Sequence, residues 1–233
     1  MKYGLVILAI ILFASCSSKV KQANQRGLDY MKQGMYEQAI VEFNNALVAD
    51  NNWLPAYYNR AIANANTKHY KEALSDFNYI LATNPDHVES YFNRGIVYEN
   101  IGLYQNAIKD YSQTISLRPD FTNAYHYRGI ARYYMKDYDG ALADYNKALE
   151  LGLNETAIYF NRGTVMQLKG NLEAAIEDYN KAIESDPANA KAYYHRAIAE
   201  MSQGLTDNAI KDLEISEKLG LGKATELLNS RFR

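Results

Sequence analysis

Residues 124–129 read Ala124-Tyr125-His126-Tyr127-Arg128-Gly129, and the stretch continues through Tyr138-Asp139-Gly140-Ala141-Leu142 to Tyr145 and Ala148. The pattern returns every 34 residues without an insertion or deletion. One column holds Gly27, Ala61, Gly95, Gly129, Gly163 and Ala197; a second holds Ala39, Ala73, Ala107, Ala141, Ala175 and Ala209. A third holds Phe43, Phe77, Tyr111, Tyr145, Tyr179 and Leu213. Self-similarity at a fixed period of this size is the mark of stacked helix pairs, in which no single pair can bury its own apolar face.

The punctuation agrees with two helices per period, an A helix followed by a B helix. Gly34, Gly102, Gly170 and Gly204 stand where helix A must stop, since glycine enters the left-handed conformation that closes a helix. Lys136 and His69 read as the residues that replace that glycine in the other two repeats. Asn84-Pro85-Asp86, Arg118-Pro119-Asp120 and Asp186-Pro187-Ala188 are three copies of the junction after helix B, where a missing N–H costs little. Leu151-Gly152-Leu153-Asn154 replaces it once. Tyr36, Tyr70, Tyr104 and Tyr138 open helix B, with Leu172 and Thr206 as departures.

These columns resemble the tetratricopeptide repeat family over residues 20–219. The resemblance implies an all-α fold: an alpha-alpha superhelix of six helix pairs (20–53, 54–87, 88–121, 122–155, 156–189 and 190–219), right-handed and concave on its inner face, closed by a short capping helix in 220–233. In that helix Leu221, Leu227 and Leu228 are expected to cover the last repeat, with Lys223, Glu226, Asn229 and Arg231 facing water.

The first residues have another character. Met1 and Lys2 precede an apolar run from Leu5 to Ala14, then Ser15-Cys16-Ser17-Ser18. A basic start, a ten-residue apolar core and small residues at its end read as a secretory signal, too short for a stable bilayer span. Phe13-Ala14-Ser15-Cys16 resembles a bacterial lipobox, although Phe13 stands where an aliphatic residue is usual and Leu12 lies one place early. The expected organisation is a signal peptide over 1–15, a tether over 16–19, and acylation of Cys16, for example with palmitate. Several acyl chains hold a protein to a bilayer where one does not. Ser17 after the cysteine leans toward the outer membrane, with the repeats facing the periplasm or the exterior; a soluble secreted protein and an uncleaved anchor are the alternatives.

Composition narrows the functions. Cys16 is the only cysteine, so no intrachain disulfide or thiolate zinc site is possible. A net charge of -2 with interspersed signs gives no basic stripe, so no nucleic-acid partner is expected. His69, His87, His126 and His195 are scattered, and no HExxH, phosphate loop or nucleophile elbow occurs, so neither catalysis, a metal nor a cofactor is expected.

Two kinds of polar column remain. Arg26, Arg60, Arg94, Arg128, Arg162 and Arg196 recur beside the small residue of helix A; Glu42, Asp76, Asp110, Asp144, Asp178 and Asp212 recur beside the large residue of helix B. Matched numbers make internal Arg–carboxylate pairing a sufficient explanation, with partner binding as the alternative. The other is aromatic: Tyr58, Phe92, His126, Phe160 and Tyr194, a position that in the family faces the groove. Beside it stand Asn59, Asn93, Asn161 and His195, and further along Asn66, Glu99, Asn100, Tyr133 and Gln167. Rigid rings with amide neighbours can hold a peptide or helix, or they can pad adjacent A helices.

The lysine and asparagine clamp by which some family members grip a C-terminal carboxylate is absent: the corresponding positions hold Asn24, Tyr58, Phe92 and Leu28, Ile62, Ile96. The layout is similar to that of small repeat lipoproteins that help assemble pilus secretins or recruit cell-wall hydrolases. The expected function is a scaffold or adaptor for one or more envelope proteins or peptides, tethered to the bilayer through Cys16. A module binding peptidoglycan or another glycan, and a structural subunit of an envelope complex, are the alternatives.

Overall fold

The computed structural model describes residues 18–232. Cys16, and with it the signal segment and the first half of the tether, lies outside them, while residues 18 and 19 of the expected tether are already helical. Thirteen helices occur among the described residues. The described part of α1 covers 18–32; then follow α2 (Tyr36–Ala49), α3 (Leu54–Asn66), α4 (Tyr70–Thr83), α5 (Val88–Asn100) and α6 (Tyr104–Leu117). After them come α7 (Thr122–Tyr134), α8 (Tyr138–Glu150), α9 (Thr156–Leu168), α10 (Leu172–Ser185), α11 (Ala190–Ser202), α12 (Thr206–Lys218) and α13 (Gly222–Arg231). Odd-numbered helices through α11 are A helices, even-numbered ones B helices, giving six pairs and a short final helix. They fall into two compact units that meet in the chain at Arg118 and Pro119, and each is an αα solenoid segment.

Within a pair, the small and large columns explain each other. A Cβ built on Gly95 would stand 2.6 Å from Tyr111 Cε1, and one on Gly129 2.6 Å from Tyr145 Cε1. The tyrosine edge therefore rests on bare backbone, which is why these positions hold glycine. The large column is wholly buried from Phe43 to Leu213, as are the alanines from Ala39 to Ala209. Gly27 is held to glycine by Phe43 in the same way, its Cβ position lying 2.4 Å from Phe43 Cε1, while alanine stands at Ala61 and Ala197 opposite Phe77 and Leu213.

Each A helix ends in a Schellman turn, a six-residue loop that satisfies the last carbonyls. The N–H of Met35 bonds Tyr30 O at 2.9 Å, that of Leu103 bonds Tyr98 O at 2.8 Å, and that of Leu205 bonds Glu200 O at 2.9 Å. The residue that must be left-handed is glycine in four turns and Lys68 (φ 64°) or Lys136 (φ 61°) in the other two. His69 is therefore not the substitute for the turn glycine. It is the ordinary N-cap of α4 with φ -78°, and Lys68 holds the strained position.

The B-to-A junctions come in two forms. Where proline follows, the helix-capping residue is extended, as at Asp186 (φ -138°) after α10. Where Gly152 (φ 91°) or Gly220 (φ 90°) follows, helix B is one residue shorter and ends in a glycine turn. In the C-terminal unit, α13 lays Ala224 and Leu228 against Ala197, Ala209 and Leu213, with Leu221 and Leu227 packed beside them. Lys223, Glu226, Asn229 and Arg231 are exposed.

Candidate functional site

The arginine column is consumed internally. Arg60 Nε and Nη2 donate to Asp76 at 2.9 and 2.7 Å, Arg94 to Asp110 at 2.7 and 2.7 Å, and Arg162 to Asp178 at 2.7 and 2.7 Å. Arg128 and Arg196 grip Asp144 and Asp212 in the same way, and Arg26 meets Glu42. The third guanidinium nitrogen reaches back one repeat: Arg60 to Asn44 at 2.6 Å, Arg94 to Asn78 at 2.6 Å, Arg162 to Asn146 at 2.7 Å and Arg196 to Asn180 at 2.5 Å. Each of these arginines therefore ties its A helix to two successive B helices. Hydrogen bonding to the aspartate raises the Arg60, Arg162 and Arg196 pKa values above the usual guanidinium value, against the opposing effect of burial.

A tyrosine three residues earlier stacks under the cation, with Tyr57, Tyr91, Tyr125, Tyr159 and Tyr193 at 5.3 to 6.0 Å. Sequence reasoning missed the Asn44/Asn78/Asn146/Asn180 and Tyr57-to-Tyr193 columns, although both recur at 34 residues. These side chains fasten repeats together and leave no anion track.

The aromatic column behaves differently from end to end. In the N-terminal unit, Asn59 donates to Asn24 at 3.0 Å and Asn93 donates to the Tyr58 hydroxyl at 2.9 Å. Tyr58 also packs on Phe77 and His87, and Phe92 on Tyr111. Glu99 accepts from the Tyr111 hydroxyl at 3.1 Å, and burial holds its carboxyl above the usual value. Asn66 turns onto its own helix, donating to Ile62 O, and Asn100 is exposed at the end of α5. These contacts match the padding alternative.

In the C-terminal unit the ladder continues, with Asn161 Nδ2 3.2 Å from His126 Nε2 and His195 edge-on to Phe160 at 5.3 Å. His126 is buried, which pushes its pKa down to about 4; with the amide donating, its Nε2 carries the lone pair. Gln167 accepts from the Tyr179 hydroxyl at 2.7 Å.

Here the A helices also frame an open groove of about 630 Å³. Of the expected residues it brings together Tyr133, Phe160, Asn161, Tyr194 and His195. His126 and Gln167 are not among its lining. Ile130, Tyr134, Tyr145 and Thr164 complete the walls, and Lys191, Leu221 and Lys223 close the end formed by α11 and α13. Ile130 and Thr164 lie four residues beyond the aromatic column, a helical step that the sequence carried. Lys223 carried no such signal, because the capping helix lies outside the repeat. Burial first, then Lys223 and Lys191, depresses the pKa of His195. No group of three or more His, Cys, Asp or Glu residues that could hold a metal occurs among the described residues, nor does a helix long and apolar enough to cross a membrane.

Residues 88–121 and 122–154 match profiles of the tetratricopeptide repeat, and residues 168–204 match a TPR repeat profile. With the paired-helix fold, these matches show that the chain carries tetratricopeptide repeats, units that form non-catalytic interaction scaffolds. The chain is similar to MamA, at 25% identity and a TM-score of 0.66 over 71% of this chain and 96% of that one. It is also similar to PilF of Pseudomonas aeruginosa, at 18% identity and a TM-score of 0.80 over 93% and 100%. A third similar structure is YrrB, described as a TPR protein with an unusual peptide-binding site, at 20% identity and a TM-score of 0.66 over 76% and 92%. The latter two likenesses are of fold alone. No curated protein sequence matches the chain.

Proposed function

We propose that this chain is an adaptor of the bacterial cell envelope that binds a protein partner in the groove of its C-terminal unit. The supporting observation is the contrast between the units. In the N-terminal unit Asn93 donates to Tyr58 and Asn59 to Asn24, while in the C-terminal unit Tyr133, Phe160 and Tyr194 line one groove. Aromatic rings in a concave site supply contact area at small entropic cost. YrrB carries a peptide-binding site on a similar fold. In this reading residues 1–15 are a signal peptide, Cys16 carries the lipid, 16–19 are the tether, and 20–219 hold the six repeats, placed at the outer membrane.

The test is co-purification from detergent-solubilised envelopes, comparing the wild type with Tyr194→Ala. One protein retained stoichiometrically by the wild type and lost by a variant of unchanged helicity supports the groove. Retention of the same protein by both points to another surface and sinks it. Retention on insoluble cell wall instead favours the glycan alternative. For the anchor, Cys16→Ser should move the protein from the membrane to the soluble fraction; if it stays bound, acylation is not what holds it.

A further inference from the structure

The end of the groove between α11 and α13 carries uncompensated positive charge. Lys191 and Lys223 are exposed, line the groove, and have no ion-pair partner among the described residues. No carboxylate lines the groove with them. Both ammoniums act on the same His195 ring, adding to burial in keeping it neutral, so their fields converge at one place. Their positions do not serve their own helices either. Each sits in a first turn, where the dipole favours a carboxylate. Neither α11 nor α13 has an acid in that turn to offset its lysine, as α3, α6, α7 and α9 also have none.

We infer that this groove takes an acidic peptide segment, with a carboxylate held between Lys191 and Lys223 and an apolar residue seated on Tyr194 and Phe160. The inference rests on the proposal that the groove binds a protein. Two lysines with no internal counter-charge select an anionic partner and repel a cationic one, and complementary charge governs specificity and encounter more than total affinity. The aromatic floor alone would accept any apolar segment, so the lysines are the specificity-determining residues.

Panning a random dodecapeptide display library on the full chain, held in mild detergent, tests this. Peptides enriched by the wild type should carry an excess of Asp and Glu over the input library. The Lys191→Glu/Lys223→Glu variant should select basic peptides instead and should melt like the wild type, because both side chains are exposed. Resynthesised acidic peptides should bind the variant about tenfold more weakly, a difference that shrinks as salt rises. Enrichment without an acidic excess, or an excess that survives charge reversal, overturns the inference. If Tyr194→Ala still abolishes that enrichment, the groove remains a peptide site without this charge preference. If the wild type enriches nothing, the groove proposal falls and takes the inference with it.

Discussion

Replacing Glu200 by glutamine should stabilise the protein near neutral pH. Glu200 lies on α11 and is only 8% exposed, and its Oε2 is buried without a hydrogen-bond partner. Its neighbour Asp212 is already gripped by Arg196 at 2.6 and 2.7 Å. The other repeats of the unit show what the position otherwise holds: Arg132 donates to Asp144 at 2.7 Å in one, and Met166 packs against the core in the next. Glu200 thus puts a second carboxylate where one arginine is already occupied. Burial first, and then Asp212, raise its pKa above the ordinary value, with Arg196 opposing them. A buried acceptor left unsatisfied costs about 1–3 kcal/mol, so Glu200→Gln should gain about 1–2 kcal/mol at pH 7.5. The sign with pH follows from the raised value. A group whose folded pKa exceeds its unfolded one contributes stability fully below the unfolded value, near 4.5, and loses it as pH rises through the folded value. Because glutamine mimics the protonated acid, its advantage should vanish toward pH 4 and grow above it. Urea unfolding followed by far-ultraviolet circular dichroism from pH 4 to 8 measures this. A gain independent of pH, or a loss at pH 7.5, would refute the reasoning.

Four further outcomes follow from the same geometry. Lys68→Gly and Lys136→Gly should each stabilise by about 0.5–1 kcal/mol in thermal melts, since both lysines occupy a left-handed conformation that glycine adopts without strain. Arg162→Ala should cost about 3 kcal/mol because it strands Asp178, whose side chain is 3% exposed, while Arg26→Ala should cost under about 1 kcal/mol because Arg26 is 54% exposed and water reaches Glu42, 18% exposed, once it is gone. Gly129→Ala should destabilise by about 1–2 kcal/mol through its clash with Tyr145, and combination with Tyr145→Leu should cost less than the sum of the single changes in a double-mutant cycle. His126 is buried neutral, with its pKa depressed to about 4, so its contribution is complete above 6.5 and lost as pH falls toward 4; His126→Phe should flatten that part of the stability profile.

What the sequence showed depends on whether a feature repeats. The small, alanine and large columns were legible because six copies at one spacing leave no other reading, and the Arg–carboxylate pairs followed from equal numbers at matching places. The turn substitution went one residue astray at His69, although the 34-residue spacing between Gly34 and Gly102 falls on Lys68, the residue whose backbone is left-handed. The aromatic column was legible as a column but not as a surface. Whether Tyr58 or Tyr194 is open depends on what the next helix places against it, and nothing in either residue's own environment in the chain reports that.

The end of the repeat is where periodic reasoning stops and the groove begins. Inside each unit an A helix spends its ladder residue on its neighbour, as Asn93 does on Tyr58 and Asn161 on His126. α13, which follows α12, is out of register with the repeat. Glu226 falls 34 residues after the buried Ala192 yet is exposed, while Ala224 and Leu228 do the burying. The register shift lets a helix with no copy elsewhere cover the last core layer while bringing Lys223 to the groove. A seventh repeat in register would put a side chain from the ladder column beside Tyr194 and continue the padding. The short, shifted helix therefore leaves the α11 face beside Lys191 and Lys223 in place of another internal joint.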